Sequence, residues 1–271
     1  MSKERFLSAV LMTALVLGAI FNEFLFIFVL LGLTFASLYE FFYLVKKKGI
    51  PIYSYTGIAV GLVIPLSTYF RFKPTKGWEL LLIVLLFFLI FLMQFIRKDH
   101  HNAIVGISTT LFGVMYVSWL FSFLVKIRYL LPEPEGMKLL GFILLITKAG
   151  DIGALLVGSK FGRTKLFPRI SPNKTVEGSL GGLVFSTVAA ILANSLIPDA
   201  LGLSIVHIAL MGTFFGGIGQ IGDLSESLIK RDFGVKDSGK MLPGLGGALD
   251  AIDSVLFSAP VFYFYMGSIL S

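Results

Sequence analysis

Long apolar runs separated by short polar loops extend along the whole chain. The hydrocarbon core of a bilayer requires about 20 mostly apolar residues in a helix. The runs therefore predict nine transmembrane helices, at residues 6–21, 24–45, 54–70, 78–96, 103–125, 139–157, 179–197, 203–222 and 248–270. The first run could pass for a signal peptide, but a second run follows at once and no small-residue cleavage site is evident. We therefore interpret the first run as a helix.

Composition agrees with a membrane protein. The 271 residues are 56% hydrophobic and only 14% charged, whereas soluble domains carry about 25% charged residues. A water-soluble globular protein and a disordered chain are both excluded on these grounds. Cysteine is absent, which excludes disulfides, thiolate metal ligands and a cysteine nucleophile. We predict an all-α, polytopic integral membrane protein with a polar, cytoplasm-facing cavity in its C-terminal half.

The distribution of positive charge predicts an orientation. The formal net charge is +7, and a cytoplasmic N-terminus would place 16 Lys and Arg side chains on inside segments and 6 on outside segments. The positive-inside rule favours this arrangement. We expect a multi-pass protein of the cell (inner) membrane, with its N-terminus and active site cytoplasmic and its C-terminus outside. No segment could form a soluble basic face, so nucleic acid is not an expected partner.

A proline-rich and glycine-rich segment, residues 132–136, is the best candidate for a subdomain boundary. The predicted helices before it carry almost no charge. We interpret residues 1–134 as an N-terminal transmembrane scaffold of about five helices. Residues 135–271 are predicted to form a C-terminal catalytic transmembrane domain of about four helices.

Acidic residues gather in the second half of the chain. An ionisable group at bilayer depth costs about 2.5–3.5 kcal/mol on insertion scales, so such groups need partners or a hydrated cavity. The cluster therefore predicts a polar site. Eight of the 16 acids lie in or beside the last four predicted helices: Asp151, Glu177, Asp223, Glu226, Asp232, Asp237, Asp250 and Asp253.

Helical spacing aligns several of these side chains. The polar residues from Asp223 to Lys230 recur at i, i+3, i+4 and i+7 and share one helix face, while Asp250 and Asp253 lie three apart on the next helix. Two or three carboxylates from neighbouring helices, with lysines opposite, suit Mg²⁺ that is also bound by water and substrate phosphates. An internal salt-bridge network and an ion-coupled transporter are the alternative interpretations.

The cytoplasmic loop between the sixth and seventh predicted helices has the composition of a phosphate cradle. Its segments 158–165 and 171–178 are rich in Gly, Ser, Thr and Lys beside an acid. Glycine lets backbone amides approach a phosphate, and a helix N-terminus adds favourable partial charge. Asp151 is a weaker candidate for the same cavity, because Lys148 could simply neutralise it.

A glycine pattern in the eighth predicted helix favours packing over nucleotide binding. The segment 217–222, G-I-G-Q-I-G, matches a dinucleotide-binding fingerprint, but no strand precedes it. Close helix packing explains it better, as it does Gly212 and Gly216.

Two motifs resemble those of the phosphatidate cytidylyltransferases, also called CDP-diacylglycerol synthases. Residues 227–253 read S-L-I-K-R-D-F-G-V-K-D-S-G-K-M-L-P-G-L-G-G-A-L-D-A-I-D, similar to a family signature with S-x-x-K-R, K-D, P-G-H-G-G and D-R-x-D. Residues 171–178, S-P-N-K-T-V-E-G, are similar to the second family motif. Leu245 stands where the family has His, and Ala251 where it usually has Arg. Leu cannot donate a hydrogen bond and Ala cannot pair with phosphate, so we expect metal binding to persist and turnover to be lower.

The resemblance implies a reaction and its participants. CTP and phosphatidic acid would give CDP-diacylglycerol and pyrophosphate for phospholipid biosynthesis, with Mg²⁺ as cofactor and a monovalent cation as a second candidate. A homodimer through the first-half helices is also an expectation from the family. A related lipid or polyprenol kinase or nucleotidyltransferase is the alternative enzyme.

Roles are assigned to residues of the two motifs and to the nearby acids Asp151 and Asp223. The metal ligands would be Asp223, Asp250 and Asp253. The groups that neutralise the triphosphate or the leaving pyrophosphate, with the acid beside them, would be Lys230, Arg231, Lys236, Asp237 and Lys240. The substrate-binding residues would be Asp151, Ser171, Lys174, Thr175, Glu177, Ser227, Gly246 and Gly247.

Overall fold

The protein is built almost entirely of helices. The computed structural model describes residues 3–70, 78–97, 101–239, 241 and 246–270. The helices are α1 (Lys3–Phe21), α2 (Glu23–Lys47), α3 (Ser54–Tyr69), α4 (Trp78–Ile96), α5 (Ala103–Gly113), α6 (Leu120–Arg128), α7 (Glu135–Phe161), α8 (Val176–Leu192), α9 (Ile205–Asp232) and α10 (Ala248–Leu270). A π-helical segment, Val114–Trp119, joins α5 to α6, and short 3₁₀ turns lie at Asn194–Leu196 and Asp199–Leu201.

Every predicted span coincides in large part with a helix. Five helical stretches in the described ranges are long and apolar enough to cross a membrane: α2, the continuous stretch Ala103–Arg128, α7, α9 and α10. The all-α class of a membrane protein is therefore confirmed. Membrane crossing by the other four predicted spans stays a prediction, as does the side to which the predicted cavity opens.

A small antiparallel hairpin departs from the all-α prediction. Strand β1 (Lys165–Phe167) pairs with β2 (Ser171–Thr175), with Lys165 opposite Thr175 and Phe167 opposite Ser171. The residues of β2 are mostly polar and do not alternate with apolar ones, so no strand signal was present in the sequence. The hairpin leads directly into α8.

The chain divides into two compact units that differ from the predicted halves. The first comprises residues 1–125 with 237–251, and the second comprises 126–236 with 252–271. The boundary predicted near residue 134 stays a prediction. The segment 237–251 carries half of the signature motif and clusters with the N-terminal helices.

The first unit packs large aromatic side chains against glycines. Phe41 and Phe42 of α2 are fully buried. A Cβ at Gly57 of α3 would lie 2.6 Å from the Phe42 ring, and a Cβ at Gly113 would lie 2.7 Å from the Phe41 ring. These glycines make room for the aromatic core of the unit.

The second unit brings α7, α8 and α9 together through small residues, as expected for helices that pack in a bilayer. A Cβ at Gly212 of α9 would lie 2.6 Å from Ala190 Cβ and 2.7 Å from the Ser186 carbonyl oxygen, both on α8. A Cβ at Gly216 would overlap the Ser186 hydroxyl. Gly212 and Gly216 thus serve helix contact, which confirms that interpretation for these two residues.

Replacing Gly212 by Ala should destabilise the protein. The added methyl would overpack the α8–α9 contact, at a cost of about 1–3 kcal/mol. Gly217 provides a matched control, because a Cβ there would meet only Leu183, at 3.7 Å. Gly217→Ala should be neutral or stabilising, since alanine is the better helix former by about 1 kcal/mol.

The measurement is thermal unfolding of both variants in detergent. Gly212→Ala should lower the midpoint by a few degrees, since about 1 kcal/mol corresponds to 2–4 °C in a protein of this size. Equal midpoints for the two variants would contradict the packing role of Gly212.

Candidate functional site

A cavity of about 480 Å³ lies in the second unit, between α7, the hairpin, α8 and α9. Its volume is within the range of small-molecule sites. Apolar and glycine residues contribute part of the wall. The polar side chains that line it are Asp151, Ser159, Ser171, Asn173, Lys174, Thr175, Ser179, Gln220 and Asp223.

An ion pair inside this cavity joins the second family motif to α9, at a residue one helical turn before the signature motif. The Lys174 Nζ on β2 lies 2.7 Å from Asp223 Oδ2 on α9, and both side chains are half-buried. Although both side chains are partly exposed, the Lys174 Nζ atom itself is buried. The hairpin therefore places the Lys174 side chain beside the acidic face of α9.

A second lysine–carboxylate pair lies on α7. Lys148 Nζ donates to Asp151 Oδ2 at 3.0 Å and to Ser254 Oγ at 3.1 Å, and Ser254 Oγ donates to the same Asp151 oxygen at 2.9 Å. Neutralisation of Asp151 by Lys148 is thus observed, and Asp151 nevertheless lines the cavity. The buried Asp253 of α10 interacts electrostatically with Asp223, Lys148 and Asp151.

Thr175 and Glu177, both predicted to bind substrate, accept hydrogen bonds from nearby backbone N–H groups. The Thr175 hydroxyl caps α8 by accepting from the Gly178 N–H at 3.1 Å. Glu177 precedes the predicted span, which begins at Ser179, and its carboxylate accepts from the N–H groups of Arg163 at 3.0 Å and Thr164 at 3.1 Å. These backbone bonds, that from Arg163 foremost, stabilise the anion and lower the pKa of Glu177 to about 2. The described lining of the cavity includes Thr175 but not Glu177.

The basic residues at the end of α9 have partners within the protein. Lys230 forms an ion pair with the buried Glu226, one helical turn away. Arg231 Nε donates to the Ile170 carbonyl oxygen at 3.0 Å and its Nη1 donates to that of Val235 at 3.1 Å. Arg231 thus ties α9 to the turn of the hairpin. Lys230 and Arg231 are not among the described cavity-lining residues.

The remaining residues at the start of the signature motif vary in exposure. Ser227 is buried on α9, and Lys236 and Asp237 are exposed. Lys240 and Leu245 lie outside the described residues. The assigned roles of these positions stay predictions.

In the first unit, the signature motif wraps around Asp250. Its Oδ2 accepts from Ser238 N at 3.0 Å, from Ser238 Oγ at 2.9 Å and from Gly247 N at 2.7 Å. Gly246 has φ +104°, and a Cβ there would lie 2.7 Å from the same oxygen. Gly246 thus makes room for this carboxylate in a conformation that L residues rarely adopt, and the role of Gly246 and Gly247 in substrate binding stays a prediction.

Two polar residues that contact these groups, Glu40 and Gln220, were not predicted from the sequence. Glu40 of α2 is buried and accepts from Ser238 Oγ at 3.0 Å and from Leu249 N at 3.1 Å. Gln220 of α9 lines the cavity, and its Nε2 donates to the Ser179 carbonyl oxygen at 2.9 Å. An acid inside a predicted span was the available signal for Glu40; no spacing pattern marked Gln220.

The carboxylates are suited to Mg²⁺ as a partial ligand set. Among the described residues, no three Asp, Glu, His or Cys side chains are grouped so as to hold a metal ion by themselves. Mg²⁺ usually takes one or two protein carboxylates and fills its octahedron with water and substrate phosphates. Asp223 lines the cavity, whereas Asp253 is not among its described lining residues. The metal assignment, with Asp250, stays a prediction.

Comparison with known proteins extends the resemblance to the whole chain. A protein from Escherichia coli K12, the uncharacterized YnbB, is 39% identical over 59% of this chain and 51% of its own length. The phosphatidate cytidylyltransferase of Bacillus subtilis is 30% identical over 97% of each chain. That of Synechocystis is 32% identical over 98% of this chain and 97% of its own. The family model described as "Cytidylyltransferase family" matches residues 3–269, and the chain therefore belongs to the cytidylyltransferase family.

Proposed function

We propose that this protein transfers the cytidylyl group of CTP to phosphatidic acid, giving CDP-diacylglycerol and pyrophosphate. Family membership and the near full-length similarity to named phosphatidate cytidylyltransferases support the reaction class. The observation that carries the proposal is the Lys174–Asp223 ion pair, which links the second family motif to the helix that leads into the signature motif, in one cavity. A related lipid or polyprenol kinase or nucleotidyltransferase and an ion-coupled transporter are the alternatives.

The proposed chemistry is an in-line displacement at phosphorus. An oxygen of the lipid phosphate forms a bond to the α-phosphorus of CTP, and the bond from that phosphorus to the α,β-bridging oxygen breaks. Pyrophosphate leaves with the electron pair. A phosphate monoester has its second pKa near 6, so the nucleophile is already mostly ionised and no strong general base is needed. Positioning and charge neutralisation supply the catalysis.

The cavity residues have distinct proposed roles. Lys174 neutralises charge on a substrate phosphate, and Ser171 donates a hydrogen bond to the headgroup beside it. Asp151 shapes the opposite wall on α7. Lys230 and Arg231 act on the triphosphate only by exchanging their present partners, Glu226 and the backbone carbonyls. Lys236, Asp237 and Lys240 retain their proposed role in the same step.

Asp223 and Asp253 would hold Mg²⁺, with Asp250, one helical turn before Asp253 on α10, as the third proposed ligand. The metal would neutralise negative charge on the phosphates and orient them. A second, monovalent cation is part of the same proposal. We further propose that the site faces the cytoplasm from the inner membrane, because basic residues dominate the segments on that side, and that the chain forms a homodimer through its first-half helices.

The direct test is pyrophosphate release by purified protein in detergent. Release should require CTP, phosphatidic acid and Mg²⁺ together, because the reaction joins both substrates. ATP in place of CTP, and omission of the lipid, are the controls. Release of a nucleoside diphosphate would instead indicate a kinase. Substrate flux in liposomes without nucleotide consumption would indicate a transporter.

Asp223→Asn should abolish turnover while leaving the fold intact. The substitution keeps the size of the side chain but removes the charge that pairs with Lys174 and would bind the metal, so we expect at least a 100-fold loss of kcat. Asp232→Asn, on the same helix and exposed, is the matched control and should keep near-normal activity. Comparable activity in the two variants, measured as pyrophosphate release, would refute the role of Asp223.

Lys174→Met should impair CTP-dependent turnover. Loss of the cation leaves substrate phosphates without a partner in the cavity, so we expect kcat/KM to fall by more than tenfold. Lys165→Met is the control, since Lys165 lies on the same hairpin, opposite Thr175, and is exposed. If both variants lost activity equally, the effect would reflect hairpin stability and the assignment of Lys174 would be wrong.

A further inference from the structure

The residue at the N-cap position of α10 has no side chain that could cap the helix. α10 begins at Ala248, which places Gly247 at the N-cap position, where Ser, Thr, Asp or Asn usually accepts from a free backbone N–H. A Cβ at Gly247 would overlap both the Ser238 hydroxyl and Glu40 Oε2. The side chain that would cap the helix is therefore excluded by its neighbours.

Glu40 supplies the missing acceptor from another helix. Its Oε2 accepts from the N–H of Leu249, in the first turn of α10, at 3.1 Å. A carboxylate at a helix N-terminus is also favoured by the helix dipole. Within the same turn, Asp250 Oδ2 reaches back to the Gly247 N–H at 2.7 Å, so two carboxylates satisfy two of the first N–H groups of the helix.

The same Glu40 oxygen is linked to Asp250 through one serine. Ser238 Oγ lies 3.0 Å from Glu40 Oε2 and 2.9 Å from Asp250 Oδ2. Gly239 packs against Glu40 so closely that a Cβ there would overlap Oε1. Glu40 therefore fixes both the backbone that carries Asp250 and the hydroxyl that orients its carboxylate.

We propose that Glu40 is a positioning residue for the transfer reaction. It caps α10 in place of Gly247 and, through Ser238, holds Asp250 in its working orientation. This inference rests on the proposed function, in which Asp250 is a metal ligand. Glu40 of α2 would thereby support Asp250 within the first unit as well as the fold of that unit.

Substitutions at Glu40 distinguish the effect of its hydrogen-bond acceptor from the effect of its negative charge. Among the described residues, Glu40 Oε1 has no hydrogen-bond partner, so in Glu40→Gln the amide nitrogen can occupy that position while its oxygen keeps both bonds. We expect this variant to retain activity within about threefold. Glu40→Leu removes both bonds and should lower kcat at least tenfold and raise the Mg²⁺ concentration needed for half-maximal rate, with KM for phosphatidic acid unchanged. Glu40→Asp, too short to reach, should behave like Glu40→Leu and serves if the leucine variant does not fold.

A second readout does not depend on activity. Hydrogen–deuterium exchange at the start of α10 should be faster in Glu40→Leu than in the parent protein and unchanged in Glu40→Gln, since only the former frees the Leu249 N–H. Gly212→Ala is the stability control: it weakens a contact in the other unit and should leave both this exchange and the Mg²⁺ requirement unchanged.

The outcomes distinguish the two proposals. Faster exchange in Glu40→Leu, from a parent protein that shows no transferase activity, would retain the cap and reject the proposed function. Unchanged exchange in Glu40→Leu, or a glutamine variant as inactive as the leucine variant, would overturn the positioning role of Glu40.

Discussion

Close approach of α7, α8 and α9 at one buried serine is the constraint on which the cavity depends. Ser186 of α8 is fully buried, and its hydroxyl donates to the Ile146 carbonyl oxygen of α7 at 2.9 Å. Gly150 of α7 and Gly216 of α9 both lack the Cβ that would collide with that hydroxyl. Asp151 follows Gly150 directly, and Asp223 follows Gly216 by two helical turns. The same contact that packs the helices thus brings the polar groups to one place.

The ion pairs are compatible with two interpretations that the sequence left open, an internal salt-bridge network and a catalytic site. Asp223 pairs with Lys174 and Asp151 pairs with Lys148, so the cavity contains the internal ion-pair network that a purely structural role would also predict. Such pairing offsets the cost of placing carboxylates beside apolar surroundings. In each pair, binding of a cation by the carboxylate would leave the lysine to interact with a phosphate. This arrangement is compatible with binding of phosphate-bearing substrates. The structural role and the proposed chemical role are therefore compatible in the same side chains.

The sequence predicted the helices well and the contacts unevenly. Apolar runs located the helices, and helical spacing placed Asp223 correctly on the extension of α9, because both signals are local. The hairpin was missed because its strands are short and polar. Lys230 and Arg231 have partners in Glu226 and in backbone carbonyls, which charge alone does not predict, and their role toward phosphate stays a prediction. Glu40 was overlooked because it is a single acid within the predicted span 24–45, and its partners lie about 200 residues away along the chain.

That separation has a consequence for biosynthesis. Glu40 precedes Ser238 by 198 positions and Leu249 by 209 positions. At roughly 5–20 residues per second of translation, Ser238 and Leu249 are synthesised about 10–40 s after Glu40. The capped form of α10 therefore cannot form before that time. A polypeptide truncated before the signature segment would contain α2 with an uncompensated acid in its apolar interior, a species that quality-control proteases could recognise.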